Sequence, residues 1–249
     1  MGGSFFDVGA DSCVCPIMLG RNLSARFRDA TLASANQKSA MSLINSIFAR
    51  FFRMGKSNEP DNMKYLIACL GNIGAEYDNT RHNIGFKIAD RLAKDLEATF
   101  TTSRLAQVAE MKYKGKTLVV IKPTTYMNAS GRAVKYWLDY EKIPIENLLV
   151  VNDDIALPLG TLRLRKQGAD GGHNGLTDII EKLGTNVFSR LRFGLGDDFP
   201  RGRQIDFVLG QWKPSEEPIV DEKADEAVEI IKSFVTQGVD RTMNLFNKR

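Results

Sequence analysis

The chain has 249 residues, 43% of them hydrophobic, enough to bury one substantial core with an appendage, and none of its apolar runs reaches the ~18 to 20 residues that a membrane span requires. A net charge of +4 permits an anionic partner without demanding one. Cys13, Cys15 and Cys69 neither build a disulfide framework nor match a zinc-binding spacing, so a soluble, cytoplasmic protein in a reducing compartment is expected.

Residues 1–62 form an extension of their own character, with Arg21, Arg26, Arg28, Lys38, Arg50, Arg53 and Lys56 set against few acids. Met41, Ile44, Ile47, Phe48, Phe51 and Phe52 recur at helical spacing and predict one amphipathic helix over 39–54. Three readings stay open: an organellar targeting segment, against which Asp7 and Asp11 count; a helix for a partner or a membrane surface; or a start upstream of a true initiator at Met54 or Met63. The polar run 56–62 reads as a linker, so the folded domain is expected over 63–249.

From Lys64 onward strands alternate with helices. Tyr65 to Leu70 is a short apolar run closed by a Gly-rich turn, as a buried strand should be, and Phe86 to Leu96 continues with helical period. A hairpin is expected over 106–112 and 117–121, then a helix over 130–140 and a second buried strand over 148–153. Leu162 and Leu164 alternate with Arg163 and Arg165 in a strand over 161–166. A helix within 171–184, a strand over 190–196, a long helix over 214–237 and a short one over 239–246 complete the pattern. The class is α/β: one domain with a mixed, mostly parallel sheet and helices on both faces.

The run Gly71-Asn72-Ile73-Gly74 lacks the glycine spacing of a dinucleotide fingerprint, and no nucleotide cofactor is expected. His82 and His173 are the only histidines, and an imidazole exchanges protons near neutral pH. His82 stands at a helix start, where it either satisfies a local backbone group or acts as a base. Asp153 ends a buried strand, the place where open α/β sheets put functional groups, and a carboxylate there can orient an imidazole. Asp153 with Asp154 as a metal pair is the rival, but no further ligand set accompanies it, so no metal is expected. Asn72 and Asn128 are either amide donors to a substrate or turn and cap residues. Glycines flank His173 and Asn174 as in a mobile lid, where Asn174 can meet a developing oxyanion. Arg163, Arg165 and Arg192 form either a solvated face or a forked grip for phosphate.

In order and spacing these runs resemble the bacterial-type peptidyl-tRNA hydrolase family over residues 63–247, through LGNIGAEYDNTRHNIGF, KPTTYMNASG, VVNDDIALPLG, DGGHNGL, RLRFGLG and FVLG. The resemblance implies hydrolysis of the ester joining a peptide to the terminal ribose of tRNA, with no cofactor. It matches His82 to the histidine that activates water, Asp153 to its acid, and Asn72, Asn128 and Asn174 to asparagines holding the substrate and the attacking water. Tyr77, Tyr126, Met127, Gly171 and His173 fall among residues that line or close the site, with His173 as a lid-positioning residue rather than a second base. Arg165 and Arg192 match the basic pair that clamps a tRNA phosphate, and Arg163, on the same strand as Arg165, is counted with that grip. The implied partner is tRNA, with no membrane and a monomeric state. The other implied reading is a non-catalytic relative that binds RNA in organellar intron splicing with a protein partner. Cys69, Ile73, Ala156 and Asp170 depart from residues common in the family's motifs.

Overall fold

The computed structural model describes residues 63–247. Seven strands form one sheet in the order β2-β3-β4-β1-β5-β7-β6. They are β1 (Lys64–Cys69), β2 (Thr101–Ser103), β3 (Ala106–Tyr113), β4 (Lys116–Pro123), β5 (Leu148–Asp154), β6 (Leu162–Arg165) and β7 (Ser189–Gly194). The central ladder β4-β1-β5-β7 is parallel, while β3 and β6 run against their neighbours.

Both faces of this ladder are covered, which is why its strands read as unbroken apolar runs rather than as alternating ones. Ile67, Cys69, Leu149 and Val151 point into one layer with helices α1 (Ile84–Asp95) and α5 (Glu217–Gln237), which the last helix α6 (Val239–Phe246) borders. Leu66, Ala68, Leu70, Leu148 and Val150 point into the other, under α2 (Ser130–Glu141) and α3 (Asn174–Leu183). Gly85 lets α1 approach the tip of β1 closely, because a Cβ there would sit 2.3 Å from the Leu70 carbonyl oxygen.

The elements expected from Lys64 onward all form, with shifted ends. The helix expected within 171–184 begins only at Asn174, because Gly171 and Gly172 take φ values of 61° and 78° in a turn that precedes it. The long helix begins at Glu217, with Pro218 in its first turn, where a missing N–H costs nothing. Two elements lie outside the sequence pattern: β2, three exposed polar residues, and the five-residue helix α4 (Gln204–Val208). The helix predicted over 39–54 lies outside the described residues. Among the described residues no helix is long and apolar enough to cross a membrane.

Candidate active site

The tips of β1 and β5 lie side by side, joined by the Leu70 N–H donating to the Val151 carbonyl at 2.9 Å. The residues at and just past these tips build the site, as expected at the carboxyl ends of parallel strands. Past β1 the chain makes a 3-10 turn, Arg81–Asn83, and near the end of β5 stands Asp153. His82 Nδ1 lies 2.9 and 3.0 Å from the two Asp153 oxygens.

A second imidazole meets the same carboxylate. His173 Nε2 lies 3.0 Å from Asp153 Oδ1, while His173 Nδ1 accepts from the N–H groups of Gly175 and Leu176 at 3.1 and 3.3 Å. His173 therefore caps α3 through Nδ1 and must carry its proton on Nε2, which donates to Asp153. Asp153, 3% exposed, accepts from both rings, so the His82 proton sits on Nδ1 and Nε2 is left as the basic nitrogen. His173 is thus hydrogen-bonded to the acid itself. It also consumes the two amides at the start of α3, which removes them as donors to a substrate oxyanion.

The electrostatics follow from this arrangement. Burial opposes charging of the His82 ring, but the charge and hydrogen bond of Asp153 outweigh it and hold the ring's pKa above its ordinary value. Burial alone would raise the Asp153 carboxyl; the two histidines reverse this and hold it well below the usual carboxylate range. Among the described residues His82, Asp153 and His173 are the group of side chains whose donor atoms, within 4.8 Å of one another, could hold a metal ion. Here those atoms are bonded to one another through two N–H protons, which a metal would have to displace.

A cavity of about 420 Å³ opens over this pair, with Asn174 and Gly171 on the lid side and Arg165 and Arg192 on the floor. Register explains the floor: Arg163 pairs with Arg192 and Arg165 with Arg190 across β6 and β7, so all four arginines share one face. Arg192 is ion-paired with Asp154 through Nε and one terminal nitrogen. Asp153 and Asp154, adjacent on a strand, point to opposite faces and serve different partners.

Asn72 is fixed rather than free. Its Oδ1 accepts from the Met127 N–H at 2.8 Å, and its main chain exchanges two hydrogen bonds, of 2.7 and 2.9 Å, with the Asn83 side chain. Its Nδ2 is left to donate, and Asn72 lines a neighbouring groove of about 1000 Å³ beside α1. Met127 is buried, and Asn128 and Tyr126 stand exposed on its turn. Tyr77 lies in the preceding turn, where its carbonyl accepts from the Thr80 hydroxyl. The structure thus brings His82, Asp153, His173, Asn174, Gly171, Arg165 and Arg192 around one cavity; Asn72, Tyr77, Tyr126, Met127, Asn128 and Arg163 do not line it.

Three residues that hold the site's surroundings in place are not evident from the sequence alone. Asn83 clamps Asn72, and its one signal is its place directly after His82. Arg81 and Arg190 are buried at 4% and 2% exposure. Arg190 donates to the carbonyls of Ala169 and Asn186 at 2.9 and 3.0 Å and lies over the Phe188 ring, tying the start of the Gly-rich run to the loop before β7. Burial, then the neighbouring Arg192 charge, lowers its pKa.

Fold and site together define an α/β protein with a mixed sheet and an imidazole–carboxylate pair at the strand ends. The family model described as peptidyl-tRNA hydrolase matches residues 66–249. A peptidyl-tRNA hydrolase of Phocaeicola vulgatus is 55% identical over 187 residues, 75% of this chain and 100% of that one. That of Porphyromonas gingivalis is 54% identical over 185 residues, covering 74% and 100%. The crystal structure of peptidyl-tRNA hydrolase from Acinetobacter baumannii superposes with a TM-score of 0.71 at 32% identity, covering 76% of this chain and 97% of that one. The chain belongs to the peptidyl-tRNA hydrolase family.

Proposed function

We propose that the protein hydrolyses the ester of peptidyl-tRNA by water that His82 activates. The observation that carries this reading is the contact of His82 Nδ1 with both Asp153 oxygens, which leaves Nε2 as base beside an arginine-floored cavity. Nε2 takes a proton as water attacks the ester carbonyl, and Asp153 stabilises the resulting imidazolium. Because His173 occupies the amides at the start of α3, the charge on the tetrahedral oxygen falls to side-chain amides, Asn174 first. The bond to the ribose oxygen then breaks, and that oxygen recovers the proton from His82. The peptide acid, which gives its remaining proton to solvent, and free tRNA leave.

Asn72 supports the peptide side, since its Nδ2 is the one group of that side chain not committed to holding Met127. Arg165 and Arg192 supply the phosphate grip, with Asp154 holding the Arg192 fork in place until phosphate arrives. The reading includes a monomer acting with translation in the cytoplasm. The test is incubation of purified protein with N-acyl-aminoacyl-tRNA in chelator-treated buffer, with release of free tRNA expected. Tight tRNA binding without release would overturn the reading and favour the RNA-binding, non-catalytic one.

A further inference from the structure

Arg81 precedes His82 in the same three-residue turn, is 4% exposed, and takes no part in the chemistry above. Its guanidinium donates to the Gln211 carbonyl at 2.6 Å and to Glu216 Oε2 at 2.7 Å, and lies 4.5 Å from the Phe207 ring centroid and 5.3 Å from that of Trp212. The Arg81 main-chain N–H donates to the Gly210 carbonyl at 3.0 Å, and Thr80 bridges to Gln211. Every one of these partners lies in residues 207–216, a stretch more than a hundred residues away in sequence that runs on from the end of α4. Gln204, Ile205 and Val208 of α4 line the same cavity as His82.

We infer that Arg81 is a positioning residue, a latch that fixes the turn carrying His82 against the α4 segment and so sets the imidazole on Asp153. The inference rests on His82 being the base. A buried guanidinium–carboxylate pair is a poor source of net stability, because desolvation of both charges offsets their attraction. Its forked geometry, by contrast, fixes direction: one terminal nitrogen on Gln211, the other on Glu216, with the Phe207 and Trp212 rings against the guanidinium. A lysine retains the charge but lacks that fork. Glu216 is itself held, since its Oε2 also accepts from the Lys213 N–H at 2.8 Å, so the latch closes on a fixed catch.

The chain has two histidines, so ¹⁵N-histidine labelling gives four ring-nitrogen resonances that report the two contacts to Asp153 separately. Arg81→Ala and Arg81→Lys should move the His82 resonances toward those of a solvent-averaged ring while those of His173, held by the cap on α3, stay in place. On N-acyl-aminoacyl-tRNA kcat should fall on the order of 10 to 100-fold, as expected for a displaced catalytic group, with the Kd for tRNA unchanged. Glu216→Ala should act in the same direction, and Glu216→Gln, which keeps an acceptor oxygen, should recover most of the loss. A folded Arg81 variant with wild-type His82 resonances and kcat would overturn the latch. So would loss of kcat that only tracks the unfolded fraction, with both histidines moving together. Should Arg81→Ala not fold, Arg81→Lys and Glu216→Ala carry the same test. Wild-type release of tRNA in the same assay tests the hydrolase reading separately.

Discussion

Replacing Asp153 by Asn isolates what the carboxylate contributes to the imidazole. The side chain keeps its size but loses its charge and one of two acceptor oxygens, where His82 and His173 both donate within 3.0 Å. Two unit charges about 4 Å apart at an effective dielectric of ~20 attract by about 4 kcal/mol. That stabilisation applies to the imidazolium formed in the transition state, and about 4 kcal/mol corresponds to about 10³ in kcat. The pH profile gives the second readout. The wild-type ring carries a raised pKa, so activity should climb with pH through a value above the ordinary ~6.5 of histidine. In Asp153→Asn only burial remains, which disfavours the charged ring, so the acid limb of kcat/KM should move to lower pH even as the plateau falls. Single-turnover release of tRNA from N-acyl-aminoacyl-tRNA across pH 5 to 9, with tRNA binding and thermal melting as controls, measures both. A folded variant within about tenfold of wild-type kcat and with an unmoved acid limb would refute the assignment of Asp153 as the partner of the base.

Four further outcomes rest on particular interactions. Arg165→Ala should weaken tRNA binding and reduce its salt slope by about 0.7 to 0.9 for each phosphate no longer neutralised, measured by binding titrations over a salt series; Arg192→Ala should weaken binding more, because it also strips Asp154 of its partner and leaves a negative charge beside the phosphate. Asn83→Ala breaks both hydrogen bonds to the Asn72 main chain and should cost about 1 to 3 kcal/mol of stability in chemical denaturation, with a raised KM for peptidyl-tRNA. Gly85→Ala drives a Cβ to within 2.7 Å of the Leu70 nitrogen and should destabilise by about 1 to 3 kcal/mol; an unchanged denaturation midpoint would contradict the close packing of α1 on β1.

The core elements are legible because burial leaves its mark on sequence. Leu148 to Val151 is apolar on both faces because α1 and α2 cover both, and the helical stripe of 239–246 matches α6 residue for residue. β2 leaves no mark, since Thr101, Thr102 and Ser103 are exposed and bury nothing. α4 is too short to show a period. In the site, His82 and Asp153 can be named separately, one by its chemistry and one by its place at a strand end. The double use of Asp153 cannot, because His173 follows a positive-φ turn at Gly171 and Gly172 and meets Asp153 from 20 residues away in sequence. Arg81 and Arg190 are hidden for a related reason: an arginine in sequence reads as surface, and only partners 130 and 21 residues away turn these two inward.

In the proposed mechanism one imidazole, His82, supplies the base. His82→Ala leaves Asp153 bonded to His173, and the arginine floor untouched, so the variant should fold and bind tRNA as wild type does. Its turnover of N-acyl-aminoacyl-tRNA should fall on the order of 10² to 10⁴-fold. Wild-type turnover in the folded variant would contradict the account.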